Sequence, residues 1–245
     1  NIAKEVDGWN NVGYDTSNWF NVIEGNYIGE LRSSTKAVAR VAEEYTQHPV
    51  SAFTYHDSET LTPEEAGNDF GTVTKHDVDI SKDITLKAGD KLIVDMGQNM
   101  VGVTNLSISG PQGATMSIRH AEMLNDGRKN PTLETGGSDG PKDTLYMQAI
   151  TNAKVTDTYI FSNDETQIFQ PSFTYHGFRY VEITADQDIT IHNLEGKVIT
   201  AVGEQTGHLE TSNADINQLV SNTLWSQKGN YLSIPTDCPQ RGERA

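Results

Sequence analysis

Over most of its length this chain places apolar residues at every second position, in short runs bounded by Gly, Asn, Asp and Pro. A chain so patterned has few options besides strands joined by tight turns. Met116, Ile118 and His120 alternate with Ser117 and Arg119, and Leu106 and Ile108 show the same spacing. Between them, Gly110-Pro111-Gln112-Gly113 is turn chemistry, so the two runs are expected to form a hairpin. The stretches 72–80, 91–96, 144–148, 158–161, 173–184 and 189–194 continue the series at irregular spacing. The expected fold class is mainly β, an antiparallel β-sandwich. Residues 37–45 fit two periods, because Val38, Val41, Ala42 and Tyr45 mark a helical face while Ala37, Ala39 and Val41 mark a strand face.

At Ser212 the period changes. Ile216, Leu219, Val220, Thr223, Leu224 and Gln227 fall at helical intervals and give one mostly apolar stripe on a C-terminal amphipathic helix of about eighteen residues. Ser212 followed by Asp215 reads as its capping start. From 212 onward Asp215, Asp237 and Glu243 balance Lys228, Arg241 and Arg244, so the acidic excess of the chain lies upstream. The stripe must bury itself against the sandwich or against another element.

Charge and composition remove whole classes of partner. The 245 residues hold 18 Lys and Arg against 34 Asp and Glu, a formal charge of −16. Such a field repels nucleic acid and anionic membrane surfaces, so neither is an expected partner. A single cysteine excludes an internal disulfide framework and a multi-thiolate metal site, and leaves the compartment open. The longest apolar runs are too short to span a bilayer or to serve as a signal-peptide core. No Walker A or dinucleotide-binding glycine motif is present, and no cofactor is expected. Histidines 48, 56, 76, 120, 176, 192 and 208 show no ligand spacing, so no metal is expected, and His120 and His176 are read as satisfied core or interface side chains. Asp77, Asp79, Asp83 and Asp90 are read as turn and strand-face residues rather than calcium ligands. Trp9, Tyr14, Trp19 and Phe20 are read as core packing rather than a sugar-stacking platform.

The helix runs into Ile234-Pro235-Thr236-Asp237-Cys238-Pro239-Gln240-Arg241-Gly242-Glu243-Arg244. The two prolines forbid continued helix and hold the backbone extended. Two carboxylates, two guanidiniums and an amide gathered in so short a stretch can bind vicinal hydroxyls, and one carboxyl kept neutral can protonate a glycosidic oxygen. The same residues also suit a solvated, salt-bridged turn. Cys238 is read as structural, since acetal hydrolysis needs no thiol.

Trp225-Ser226-Gln227, then Asn230, then the stretch from Ile234 to Arg244 resemble the start of the catalytic domain of bacterial α-L-rhamnosidases, glycoside hydrolase family 78. Three upstream blocks agree with that family in order. They are Asp95-Met96-Gly97-Gln98-Asn99 with Gly102, Arg119-His120-Ala121-Glu122-Met123-Leu124, and Pro171-Ser172-Phe173-Thr174-Tyr175-His176-Gly177-Phe178-Arg179-Tyr180-Val181-Glu182. Asp15-Thr16-Ser17-Asn18-Trp19 resembles the tail of an earlier sandwich module, and Arg40-Val41-Ala42-Glu43-Glu44 resembles the extended connector after it, which favours strand for 37–45.

The resemblance implies three parts: residues 1–50 as an upstream sandwich remnant with linker, 51–205 as a concanavalin-like β-sandwich, and 206–245 as the start of an α/α-barrel catalytic domain. It implies removal of terminal α-L-rhamnose from a rhamnose-containing carbohydrate with inversion, one carboxylic acid protonating the leaving oxygen while a second carboxylate activates water. By motif position Glu243 is the general acid, and Asp237 and Arg241 bind sugar hydroxyls. The family's base lies further along its barrel, so these residues alone are expected to be inactive. Gly242 stands where the family usually carries an acidic residue. Arg241 and Arg244 flank Glu243 and would depress its pKa, so Glu243 is expected to be exposed and ordinary until other parts of the enzyme bury it. The alternatives are a non-catalytic carbohydrate-binding module and a purely structural sandwich.

Overall fold

A computed structural model describes residues 6, 8–26, 28–30, 33, 38–130, 137–151, 153–232 and 235–241. In chain order the elements are β1 (Arg40–Val41), β2 (Ser51–Tyr55), α1 (Pro63–Ala66), β3 (His76–Val78), β4 (Ile84–Leu86), β5 (Lys91–Ser109), β6 (Thr115–Ala121), β7 (Thr156–Ile160), β8 (Gln167–Phe169), β9 (His176–Ala185), β10 (Ile189–Thr200) and α2 (Ala214–Asn230). All named strand pairings are antiparallel. The fold is mainly β, as the alternation requires.

The long strand β5 organises the rest. Along one edge β2 gives way to β10, and along the other β9 pairs with residues 91–95 and 100–102 before β8 takes over. The change of partners follows an irregularity between Asp95 and Met100, where Gly97 adopts φ 74° and donates its N–H to Asp95 Oδ1 at 2.7 Å. A left-handed residue here bends the strand, which lets one continuous sheet curl over its own face. Leu92, Val94, Leu106, Ile108, Met116, Ile118, Phe178 and Ile183 meet in the resulting core, each at most 1% exposed. Each such side chain contributes roughly 1.5–3 kcal/mol of burial free energy. Ile93 faces the other way, into a second cluster with Tyr55, Val73, Ala121 and Leu145. The first half of β5 is therefore covered on both faces.

The expected hairpin at 106–120 does not form. Strand β9 lies between the first half of β5 and β6, so the turn at 110–113 carries the chain from one part of the curled sheet to another. Leu106 and Ile108 reach Met116 and Ile118 through the core rather than through backbone hydrogen bonds. Turn residues specify reversal, and alternation specifies an inward face; neither distinguishes arms that bond from arms that stack.

Residues 37–45 divide as well: Arg40 and Val41 pair with Thr200 and Ile199, and Glu43–Tyr45 is a 3-10 turn. The N-terminal aromatics do not pack into a core. Trp9, Trp19 and Phe20 are 48%, 51% and 101% exposed, although Trp19 touches both Trp9 and Tyr14. No strand is assigned among the described residues before Arg40, so no sheet face is available there to cover the rings.

Candidate functional site

The change of period at Ser212 does give a helix, but its cap is one residue later. Asn213 Oδ1 accepts the N–H groups of Asp215 and Ile216 at 2.8 and 3.4 Å. Asparagine and serine are about equal as caps, and an acidic residue three positions after Ser212 does not discriminate between adjacent candidates. The apolar stripe is only partly covered. Ile216 and Leu219 stay 43% and 64% exposed, while the C-terminal half of α2 meets the sandwich through Trp225, Lys228 and Gly229.

Those contacts are tight. A Cβ on Gly229 would stand 2.9 Å from Val101 Cγ2, so only glycine permits this approach without displacement. Lys228 is buried, with Nζ 4.6 Å from the ring centre of Tyr45 and 5.0 Å from that of Trp225. Burial pushes its pKa down, and the two rings supply the cation–π attraction that offsets part of the lost hydration.

After Asn230 the chain turns back on itself. Thr236 donates its N–H to the Asn230 carbonyl at 2.8 Å, Tyr231 bridges Pro235, and Ala201 N–H binds the Tyr231 carbonyl at 2.6 Å. A 3-10 turn, Pro239–Arg241, follows and leans on the start of β9, where a Cβ at Gly177 would lie 2.6 Å from Gln240 Cβ. Asp237 is exposed and lines a cleft of about 270 Å³ with Asn99, Glu122, Asn222, Ser226, Asn230 and Gln240. Cys238 donates its thiol to Asp237 Oδ2 at 3.4 Å. The backbone of Arg241 closes the turn. Glu243, with Gly242 and Arg244, lies outside the described residues.

The sequence blocks singled out above are joined in space by polar pairs that their separation along the chain conceals. Asp95 takes a two-pronged bond from Arg179, with Nε to Oδ1 and Nη2 to Oδ2 both at 2.8 Å. Burial raises the Asp95 pKa, but the Arg179 hydrogen bonds and the Gly97 N–H outweigh it and hold the carboxyl below its ordinary range. Asn99 donates to Glu122 at 2.8 Å on the wall of the cleft. Arg119 Nε donates to Glu182 Oε1 at 2.8 Å, and Tyr55 donates its hydroxyl to Glu182 Oε2 at 3.3 Å. Glu182 is 3% exposed, so this carboxylate depends on those partners. Asn230 lines the cleft with its Oδ1 buried and without a hydrogen-bond partner.

His120 and His176 are core residues as expected, but not fully satisfied ones. Their rings stack 4.2 Å apart, His176 Nε2 binds Asp157 at 3.0 Å, and His120 Nδ1 binds the Val155 carbonyl. His120 Nε2 is buried without a partner. Burial, then the neighbouring His176, pushes the His120 pKa down to about 4. Together with Asp157 the pair brings possible ligand atoms within 4.8 Å of one another, a grouping that spacing along the chain could not show. The stacked rings hold their in-plane lone pairs in near-parallel planes, whereas a transition metal requires them to converge. Asp77, Asp79, Asp83 and Asp90 form no such group; Asp79 binds Lys82 and Ser81, and Asp83 binds His192.

Two families account for most of the chain. Residues 85–200 match the bacterial alpha-L-rhamnosidase concanavalin-like domain, and residues 204–245 match the bacterial alpha-L-rhamnosidase 6 hairpin glycosidase domain. An alpha-L-rhamnosidase of Streptomyces avermitilis is 39% identical over 153 residues, covering 62% of this chain and 13% of the relative. One from an Alteromonas species is 30% identical over 245 residues, covering 98% of this chain and 21% of the relative. The crystal structure of the Streptomyces avermitilis alpha-L-rhamnosidase complexed with L-rhamnose superposes on 98% of this chain with a TM-score of 0.69 at 27% identity, using 19% of that structure. The chain thus spans about a fifth or less of the curated relatives it matches.

Proposed function

Because the chain belongs to the bacterial α-L-rhamnosidase family, we propose that it is part of a glycoside hydrolase that removes terminal α-L-rhamnose, with 51–205 bracing and 206–245 opening the catalytic domain. The observation that carries this reading is the cleft itself, in which Asp237 stands between α2 and the sandwich, at the seam between the two family matches. Glu243 delivers a proton to the glycosidic oxygen as the bond to the anomeric carbon breaks, and Asp237 and Arg241 hold the sugar through its hydroxyls. A second carboxylate, supplied by the family's barrel outside residues 1–245, takes a proton from the water that attacks the opposite face, which inverts the anomeric centre. These 245 residues alone therefore do not turn over substrate.

The sandwich acts on this chemistry by holding the turn. Gln240 rests against Gly177, and the helix that leads into the turn rests against Val101. Glu243→Gln in the full-length protein, assayed on an aryl α-L-rhamnoside, is expected to lower the rate by about 10²–10⁴-fold, the usual value of a positioned acid. Retention of most of the rate would remove Glu243 from the role. Asp237→Asn is expected to act mainly on KM if the residue binds ground state and transition state alike.

A further inference from the structure

The segment between β6 and β7, residues 122–155, is far longer than the ~12–15 residues that connections without strands or long helices usually reach in compact domains. Its described parts are nonetheless tied down by side chains. Asn125, 4% exposed, donates to Thr144 Oγ1 and the Leu145 carbonyl and accepts from Ser138 Oγ and the Asp139 N–H. Asp139 Oδ2 in turn accepts the N–H groups of Met147 and Gln148 at 3.0 and 2.7 Å. The described parts of the segment, braced this way, form one wall of an open pocket of about 430 Å³ that shares no residue with the cleft of Asp237.

The pocket has the composition of a binding site. Its base is apolar, from Val73 and Leu145 in the second cluster, and its rim carries Lys91, Arg119, Asp139 and Thr144. Arg119 is held at the rim through Nε and Nη2 by the buried Glu182, which also fixes the Tyr55 hydroxyl, so the guanidinium is oriented before any ligand arrives. Its side chain remains 40% exposed, and a guanidinium has further N–H groups besides those two. The volume falls within the usual range for small-molecule pockets, and an apolar base with a few placed polar groups is their usual make-up.

Charge selects the ligand. Lys91 Nζ binds both carboxylate oxygens of Asp57 at 2.8 and 2.9 Å, and Arg119 is paired with Glu182. Both cations are neutralised from within the chain, and Asp139 adds an anion at the rim, so the pocket offers no net attraction to a carboxylate, sulfate or phosphate. Mixed donors and acceptors above an apolar floor suit vicinal hydroxyls over a C–H face. We propose that this pocket is a second, non-catalytic binding site for a neutral pyranose unit of a glycan. The choice of a sugar rests on the rhamnosidase reading; the pocket and its lack of net positive charge do not.

The test is a two-dimensional amide NMR titration of the 245-residue chain with L-rhamnose or methyl α-L-rhamnoside, and separately with D-galacturonate. The expected result is saturable movement of the Asp139, Gly140 and Leu145 signals by the neutral sugars, with a dissociation constant on the order of 1 mM. Arg119→Lys keeps a charge beside Glu182 but loses the fork, and is expected to weaken binding by about fivefold or more. Lys91→Met leaves the exposed Asp57 without its partner and takes a cation off the Tyr55 ring, and it serves as a second variant if Arg119→Lys is poorly folded; it too is expected to weaken binding. The proposal is overturned if shifts are confined to residues 99–101 and 222–240, if no signal moves, if galacturonate binds more tightly, or if both folded variants bind as well as the parent chain. None of these outcomes touches the rhamnosidase reading, which is decided by turnover of the full-length protein.

Discussion

Phe178 and Gly177 are adjacent on β9, and they belong to differently built regions. Phe178 is fully buried in an interior where Leu106, Ile118 and Ile183 are equally excluded from water. Gly177 faces the turn that carries Gln240, and its contribution is the side chain it lacks. Upstream, stability is spread over many interchangeable apolar contacts. In α2 and its turn only Lys228 and Gly229 are buried on the helix, and position is set by a few close approaches: Gly229 on Val101, Gly177 on Gln240, and Lys228 between two rings. A region of the first kind tolerates movement and fails by losing volume. A region of the second kind fails by gaining a single methyl group.

The largest effects should therefore come from emptying the sandwich. Phe178→Ala is expected to cost about 3–5 kcal/mol in chemical denaturation, and to release α2 with the strands because the helix has no other support among the described residues. Next is Arg119→Ala, which strands the carboxylate of Glu182 at 3% exposure; a cost of about 3 kcal/mol is expected, and Arg119→Ala with Glu182→Gln should recover part of it in a double-mutant cycle. A double-variant loss equal to the sum of the two single-variant losses would show that the pair is not coupled.

Acid tests the same interior by another route. His120 has its pKa near 4 in the fold against about 6.5 when unfolded, so the unfolded chain binds more protons between those values. Stability is accordingly intact above about pH 6.5 and falls as pH drops toward 4, by at most about 1.4 kcal/mol per unit. Asp95, whose pKa is lowered below its ordinary 3.8, loses its contribution only at still lower pH, which separates the two. Melting temperatures from pH 7 to 4.5, with His120→Gln as the comparison, should show a slope that the variant reduces. An unchanged slope would assign it to other groups.

How far the molecule could be read in advance follows the same division. Alternation located most of the strands and most of the inward faces, because burial acts locally on every second residue. It could not say that β9 separates β5 from β6, since pairing is decided by partners 59 to 93 positions away, as Asp95 and Arg179 are also 84 positions apart. Asp237 and the turn were legible from proline spacing and from a family resemblance. Glu122, Asn99 and Asn230 in the cleft wall, and the stacked histidines, were present in the quoted blocks without a chemical reason attached; the reason is a contact between blocks. The pocket beneath 122–155 left no periodic signal, because its wall is built from side-chain bonds to backbone and not from repeating structure.

Gly177→Ala sharpens the contrast more than any deletion. The added methyl would meet Gln240 Cβ at 2.6 Å and Cα at 3.0 Å, so the backbone of the turn must shift. Overpacking of this kind costs about 1–3 kcal/mol. Amide shifts should concentrate at 237–241, and under the proposed rhamnosidase role the rate of the full-length protein is expected to fall about tenfold or more, since small misplacements of reacting groups are strongly penalised. Disturbance spread evenly through β5 and β10 instead would mean that the turn is as redundantly held as the core.

The smallest effect belongs to the far end of α2. Asn213→Ala removes the acceptor for the Asp215 and Ile216 N–H groups, a change worth about 1 kcal/mol. The loss is limited because Asn217 still bonds both the N–H and the carbonyl of Thr211, at 2.8 Å each, and ties the entry of the helix independently of the cap. Ile216 and Leu219 are exposed, so fraying there uncovers little buried surface. Hydrogen exchange should accelerate over residues 214–218 while the sandwich amides and Gly229 keep their protection. If the sandwich amides lose protection to the same degree, α2 and the strands unfold as one cooperative unit, and the few contacts at Gly229 and Lys228 transmit more than their number suggests.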